Sequence, residues 1–281
     1  MSPYIQSLRP RTLPLSMSGI ILGTGLAGWC NWLVFAFAIC TTLSLQILSN
    51  LSNELGDTLK GTDLDQHGRE AYGLQAGKIT IKQIKGMIVL FIALSVIFGS
   101  ALIYSAFGSF LTTQSLVFFA LGLFAIIGAM TYTLGKHSYG YKGLGDLGVL
   151  IFFGLVSTWG SYYLQTQTLN FEVLCSGIAI GLPSVGVLNL NNVRDMDNDR
   201  AHGKRTFASF LGKKGGKIYH TFLLITSLVL LAVWGHLWCL VIVPLWAYHL
   251  WFIWTHEDSS LDRQMPVLML STLVVAAFGW L

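Results

Sequence analysis

The sequence predicts an all-α polytopic membrane protein of about nine transmembrane helices around a central cavity, with its N-terminus in the cytoplasm. Three observations carry that reading. Only 11% of the 281 residues are charged, against roughly 25% in an ordinary soluble domain, too few to cover a water-soluble fold of this size. Hydrophobic runs approaching the roughly 20 residues that a helix needs to cross the apolar core recur along the whole chain. For one choice of topology, all 17 Lys and Arg fall on one side.

The first span is expected at 13–28. Arg9 and Arg11 ahead of it imitate a secretory signal, but Pro10 and Pro14 bracket its start and further spans follow without a soluble domain. The second, 32–52, begins after the short turn Trp29-Cys30-Asn31 and runs into polar sequence at Asn53. The third, 86–107, follows Lys78, Lys82 and Lys85, and the fourth, 115–134, precedes Lys136 and Lys142. The fifth is expected at 146–165 and the sixth at 172–191, the latter running into a second polar stretch. The seventh, 218–235, and eighth, 237–254, meet near Gly235-His236, and the ninth, 265–281, follows Arg263.

With the N-terminus in the cytoplasm, the loops on the opposite side hold no Lys or Arg, the signature of the positive-inside rule. Of the 13 acidic residues, all but Glu172 share the basic side. Topology alone accounts for the cations there but not for the clustered carboxylates, and such a face suits an anionic partner held through metal ions. The four cysteines, Cys30, Cys40, Cys175 and Cys239, lie far apart in or beside apolar segments and read as small hydrophobes.

Two stretches 138 residues apart share one spacing: Asn53 to Asp57 in Ser49-Asn50-Leu51-Ser52-Asn53-Glu54-Leu55-Gly56-Asp57, and Asn191 to Asp195 in Asn189-Leu190-Asn191-Asn192-Val193-Arg194-Asp195. This reads as an internal pseudo-repeat, with acidic motifs at about 50–63 and 191–199, that brings two acidic helix ends together in a single transmembrane domain spanning 1–281. Asn191, Asp195 and Asp199 stand four residues apart and form one stripe on a helix; Asn53 and Asp57 form another. Asp63 lies about 120° from Asp57 on an ideal helix, so a helix break is expected at Gly61. Each of Glu54, Asp57, Asp63, Asp195, Asp197 and Asp199 would cost roughly 2.5 to 3.5 kcal/mol in the lipid core, so they are expected to line a wet cavity or hold cations. Carboxylates with amide oxygens beside them suit Mg²⁺ bridging to substrate phosphates, and Arg194, Lys204 and Arg205 complete a diphosphate site. An apolar cavity behind such a site suits transfer of an isoprenoid chain.

Other motifs fail on their residues. Asp195, Asp197 and Asp199 begin like a calcium loop, but the sixth position is Arg200 and the last is Thr206. Gly203-Lys204-Arg205-Thr206 lacks the earlier glycine of a P-loop, and the seven His show no zinc spacing. Gly19 with Gly23 and Gly177 with Gly181 have the spacing of close helix packing.

The stretch from Asn50 to Asp63 resembles the first aspartate motif of the UbiA-type intramembrane prenyltransferases, and Asn191 to Asp199, followed by Gly203-Lys204-Arg205-Thr206 and Leu211-Gly212, resembles the second. Arg9-Pro10-Arg11-Thr12-Leu13-Pro14, Tyr132-Thr133 and Tyr139-Gly140-Tyr141 through Asp146 resemble the menaquinone branch of that family. The family's usual first motif carries Asp where this chain has Glu54, and Asp where it has Gly61, with Asp63 two residues later; that form resembles the menaquinone-type enzymes. The resemblance implies a Mg²⁺-dependent transferase in a bacterial cytoplasmic (inner) membrane, its active site facing the cytoplasm. It would join a polyprenyl diphosphate to 1,4-dihydroxy-2-naphthoate, with no nucleic acid or protein partner implied. Asp57, Asp63, Asp195 and Asp199, with Asn53 and Asn191, would hold the metal and diphosphate. Arg194, Lys204 and Lys136 would neutralise the leaving charge. Tyr132, Tyr139 and Asp146 would line the acceptor side or serve as interfacial packing and caps. Glu54 and Asp197 stand as either ligands or structural carboxylates. The alternatives are another aromatic acceptor such as 4-hydroxybenzoate or, in a different class, a secondary transporter, whose site would lie near the midplane rather than at one face.

Overall fold

The computed structural model describes residues 2–62, 73–234 and 237–280, and among these the regular structure is helical throughout. A short helix α1 (Pro3–Leu8) leads into α2 (Leu13–Gly25), α3 (Trp32–Lys60), α4 (Ile81–Phe107), α5 (Thr113–Thr131), α6 (Gly145–Thr166) and α7 (Phe171–Arg194). After a one-turn α8 (Met196–Ala201) come α9 (Phe207–Val233), α10 (Leu237–Thr255) and α11 (Asp258–Trp280). Nine hydrophobic segments are therefore present among the described residues, the seventh starting at Phe207 rather than at 218 and kinked at Gly212 (φ 72°, ψ 171°). Eight are long and apolar enough to cross a membrane. The exception, α2, has 13 residues and rises only about 20 Å, short of the roughly 30 Å apolar core.

Helix starts are set by local chemistry. The Asn31 side chain accepts hydrogen bonds from the Leu33 and Val34 N–H groups at the head of α3, and Asn170 does the same for Glu172 and Val173 at the head of α7. Thr80 and Gln83 form a capping box on α4, so that helix begins several residues before the apolar run. At its other end, α3 stops where expected: Gly61 takes the left-handed conformation at φ 77° and its N–H bonds back to Thr58, closing the helix. The 29 residues of α3 rise about 44 Å, so the polar end carrying Asn53 and Asp57 stands clear of the apolar core.

The bundle centres on α7, 78% of whose apolar window is buried against 11% for α5. Small residues make that centre possible. A Cβ added at Gly23 would lie 2.0 Å from the Thr158 carbonyl oxygen of α6, and one at Gly181 would lie 2.8 Å from the Gly154 Cα. Thus α2 and α7 grip the two sides of α6 through the glycine pairs whose spacing suggested close packing. Between these contacts α6 widens into π-helix over Leu150–Trp159, a distortion that the hydrophobic pattern does not encode. Pro183 within α7 is tolerated by burial among these neighbours.

Gly23→Ala is expected to destabilise the bundle by about 1–3 kcal/mol through overpacking. Gly86→Ala, at a position with nothing within 4 Å, is expected to leave the thermal midpoint in detergent unchanged or slightly raised. Equal losses at both positions would contradict this packing.

Candidate functional site

One cavity of about 830 Å³ runs between α3, α4, α5, α6 and α7. Along α3 it is lined from Ala38 to Asp57, about 28 Å of helix. Its deep part is walled by Leu102, Ile103, Phe118, Phe152, Phe153 and Leu164. Phe124 of α5 meets Phe152 of α6 with ring centroids 5.3 Å apart, and Phe118 stacks on Tyr163 at 5.9 Å, so aromatic rings close this side. At the polar end Asn53 and Asp57 of α3 and Asn191, Arg194 and Asp195 of α7 line the same space, with Lys204, Arg9 and Arg11. The two acidic segments do share one cavity.

The first stripe behaves as helical geometry requires, with Asn53 and Asp57 one turn apart. Gly56 lets the Thr133 segment lie against the helix: a Cβ there would fall 2.4 Å from Thr133 Oγ1. That hydroxyl donates to the Ser52 carbonyl at 3.0 Å and approaches Asn53 Oδ1 at 3.2 Å. Glu54 points elsewhere. It is fully buried, and its Oε1 accepts the Leu74 N–H at 2.7 Å, tying the returning chain to α3. Asp63, expected beside Asp57, lies outside the described residues.

The second stripe is broken. The α7 helix ends at Arg194, Asp195 leaves helical geometry as its cap at φ −91° and ψ 7°, and the short α8 follows from Met196. Asn191 and Asp195 therefore face the cavity while Asp199 does not line it. Asp199 is 1% exposed and pairs with Lys204 at 3.2 Å. Burial pushes its carboxyl up to about 6, with Lys204 opposing and Asp195 and Asp57 adding to the rise. Burial acts to lower the Lys204 ammonium, but Asp199, Asp57 and Tyr141 outweigh it and leave the net shift upward, so this cation is held charged at the cavity mouth. Asp197 is exposed on Lys213 at 2.7 Å, away from the cavity lining.

The turn Tyr139–Lys142 links both acidic segments. The Tyr141 hydroxyl donates to Asp57 Oδ1 at 2.8 Å and contacts Thr62 Oγ1 at 2.6 Å, while the Tyr141 carbonyl accepts the Arg205 N–H at 3.1 Å. The Lys60 ammonium lies 3.7 Å from the Tyr141 ring centroid. Burial and the Asp57 charge raise the Tyr141 hydroxyl above its ordinary pKa, which keeps it a donor. Tyr132 and Tyr139 line the cavity as an edge-to-face pair 5.2 Å apart; burial raises both phenols, that of Tyr139 to about 12. Two other expected residues are not brought here. Lys136 is exposed and absent from the lining, and Asp146 faces the Tyr219 hydroxyl of α9. Sequence reasoning gave no role to Tyr141, although it sits in a motif, nor to Asp262 of α11, which lines the cavity mouth and pairs with Arg194.

A helical bundle with this cavity is matched from residue 13 to 276 by the model of the UbiA prenyltransferase family. The chain belongs to that family. The 1,4-dihydroxy-2-naphthoate octaprenyltransferase of Haemophilus influenzae is 37% identical over 98% of this chain and 93% of its own. The enzyme of that name from Escherichia coli is 39% identical over 93% and 88%. A UbiA homologue from Archaeoglobus fulgidus, solved with DMAPP and Mg²⁺ bound, superposes with a TM-score of 0.70 over 99% of this chain and 98% of its own, at 16% identity. A UbiA homologue from Aeropyrum pernix, solved without ligand, gives 0.68 over 94% and 97% at 15% identity. At such identities these two structures establish the shared fold.

The donor set of this prenyltransferase fits a divalent cation. Among the described residues no three acidic, His or Cys side chains already converge on a point. However, Asp57 and Asp195 with Asn53 and Asn191 offer hard oxygens around one mouth, and Mg²⁺ characteristically needs only one or two carboxylates besides phosphate and water. Glu54→Gln is expected to lower the thermal midpoint while leaving the affinity for Mn²⁺, as a Mg²⁺ surrogate, within about threefold of wild type, whereas Asp57→Asn weakens it tenfold or more, roughly what losing a charged ligand implies. Electron paramagnetic resonance titration reads both; equal loss in the two variants would contradict the assignment.

Proposed function

We propose that this multi-pass membrane protein transfers a polyprenyl chain from its diphosphate to 1,4-dihydroxy-2-naphthoate, releasing diphosphate and carbon dioxide and giving the quinol form of demethylmenaquinone. The observation that carries the reading is the single cavity with Asp57 and Asp195 at its polar end and an apolar depth behind them. Support for the acceptor comes from the two naphthoate octaprenyltransferases that match almost the whole chain. We read the chain as one transmembrane prenyltransferase domain of two pseudo-repeats, seated in the bacterial cytoplasmic membrane with its mouth toward the cytoplasm, as the distribution of Lys and Arg supports.

In this mechanism Asp57 and Asp195 would hold Mg²⁺, with Asn53 and Asn191 beside them and Asp63 added from the first motif. The bound metal supplies charge neutralisation that makes diphosphate a competent leaving group. Lys204 and Arg194 add positive charge at the mouth, where negative charge grows as the allylic carbon–oxygen bond breaks. Asp199 acts through Lys204, holding the ammonium in place. The Tyr141 hydroxyl fixes the rotamer of Asp57. Phe118, Phe152 and their neighbours keep the isoprenoid tail and the allylic carbocation away from bulk water, so the electron-rich naphthoate ring, rather than water, captures the cation. Tyr132 and Tyr139 stand where an aromatic acceptor can stack.

Purified protein given Mg²⁺, a polyprenyl diphosphate and 1,4-dihydroxy-2-naphthoate is expected to release diphosphate and carbon dioxide in equal amounts. Chelation of Mg²⁺, Asp57→Ala and Asp195→Ala should each reduce turnover by two or more orders of magnitude, as removal of a main electrostatic contribution does. Prenylation of 4-hydroxybenzoate alone would overturn the acceptor, and wild-type turnover in either variant would overturn the metal assignment.

A further inference from the structure

Arg194 is held by two carboxylates at once. Its Nε donates to Asp195 Oδ1 at 2.6 Å, its Nη2 donates to Asp195 Oδ2, and its Nη1 donates to Asp262. The fork on Asp195 engages both oxygens of a carboxylate that the reading above gives to the metal. A guanidinium cannot be discharged at any relevant pH, so a cation that takes the lone pairs facing Arg194 displaces it with its charge intact, and that charge needs an anion nearby.

We propose that Asp262 is a positioning residue that takes Arg194 from Asp195 when the divalent cation enters, leaving Asp195 to the metal and Arg194 facing the diphosphate. This rests on the metal-site reading and deepens it. Two features suit Asp262 to the task. Its side chain is 43% exposed against 17% for Asp195, so it carries its charge at the wet edge of the mouth at little desolvation cost. It also sits on a fixed post rather than a loose loop. Within the same turn Asp258 pairs with Lys217 of α9 at 2.9 Å, Leu261 is fully buried, and Gln264 Oε1 lies 3.0 Å from His249 Nδ1 of α10. The anion that receives Arg194 is therefore held by α9 and α10, outside both acidic motifs, 63 residues beyond Asp199.

The test is Mn²⁺ binding to substrate-free protein in detergent, followed by electron paramagnetic resonance. Asp262→Asn is expected to raise the Kd about fivefold, the scale of a partly exposed ion pair, because Arg194 then remains on Asp195; Asp262→Glu should restore it to within about twofold of wild type by the same scale. In turnover assays the Mg²⁺ concentration for half-maximal rate should rise in Asp262→Asn while kcat at saturating Mg²⁺ changes little. In an Arg194→Gln background Asp262→Asn should have no effect on Kd, since the competitor is gone. That cycle remains decisive even if Asp262→Asn folds poorly, because Asp262→Ala, which likewise removes the carboxylate, can replace it within the cycle. An unchanged Kd in Asp262→Asn, or an equal effect with and without Arg194, would overturn the proposal alone. Failure of the wild type to bind Mn²⁺ would overturn the metal site beneath it.

Discussion

The structure depends on one constraint: carboxylates carried by membrane helices must be solvated, paired or ligated, because each is too costly to leave in hydrocarbon. Asp57 and Asp195 satisfy it by facing one cavity mouth from helices far apart in sequence, with Lys204 and Arg194 among them. The same convergence creates the chemistry. A place that tolerates two helix-borne acids already has the charge, hydration and cations needed to receive a metal and a diphosphate.

The rest of the fold serves that convergence. Because α2 and α7 pack against α6 through glycines, with backbones nearly touching, α7 can run through the centre of the bundle and deliver Asn191 and Asp195 opposite α3. Gly56 admits the Thr133 segment against α3, and Tyr141 then spans from Asp57 to the backbone of Arg205. Tight small-residue packing on one side and bulky rings on the other thus leave an apolar space open between α3, α4, α5 and α6. Polar order at the mouth and a dry interior behind it follow from one arrangement of helices.

Much of this is legible in the sequence because the physics is local or periodic. Hydropathy places the nine segments; the spacing of Asn53 with Asp57 is one helical turn; Gly61 ends α3 because its missing side chain permits the left-handed conformation. What the sequence hides is where regularity fails. The Asn191, Asp195 and Asp199 stripe assumes a continuous helix, and the break at Asp195 turns Asp199 away to Lys204. Tyr141 looks like its neighbours Tyr132 and Tyr139 until the turn that carries it is folded. Asp262 has no motif around it, and only the docking of α11 against α7 brings it to Arg194. Lys136 is the reverse case: charge and proximity to a motif suggest a role, and the fold leaves its side chain exposed outside the cavity lining.

The central claim is that Asp57 and Asp195 grip one ligand together, and a double-mutant cycle on binding tests it most directly. Calorimetric titration of an unreactive prenyl thiodiphosphate in the presence of Mg²⁺ would be compared for wild type, Asp57→Asn, Asp195→Asn and the double variant. A shared site predicts that each single substitution weakens binding strongly and that the double variant is little worse than either. Independent, additive losses, or full affinity retained in one of the single variants, would contradict it.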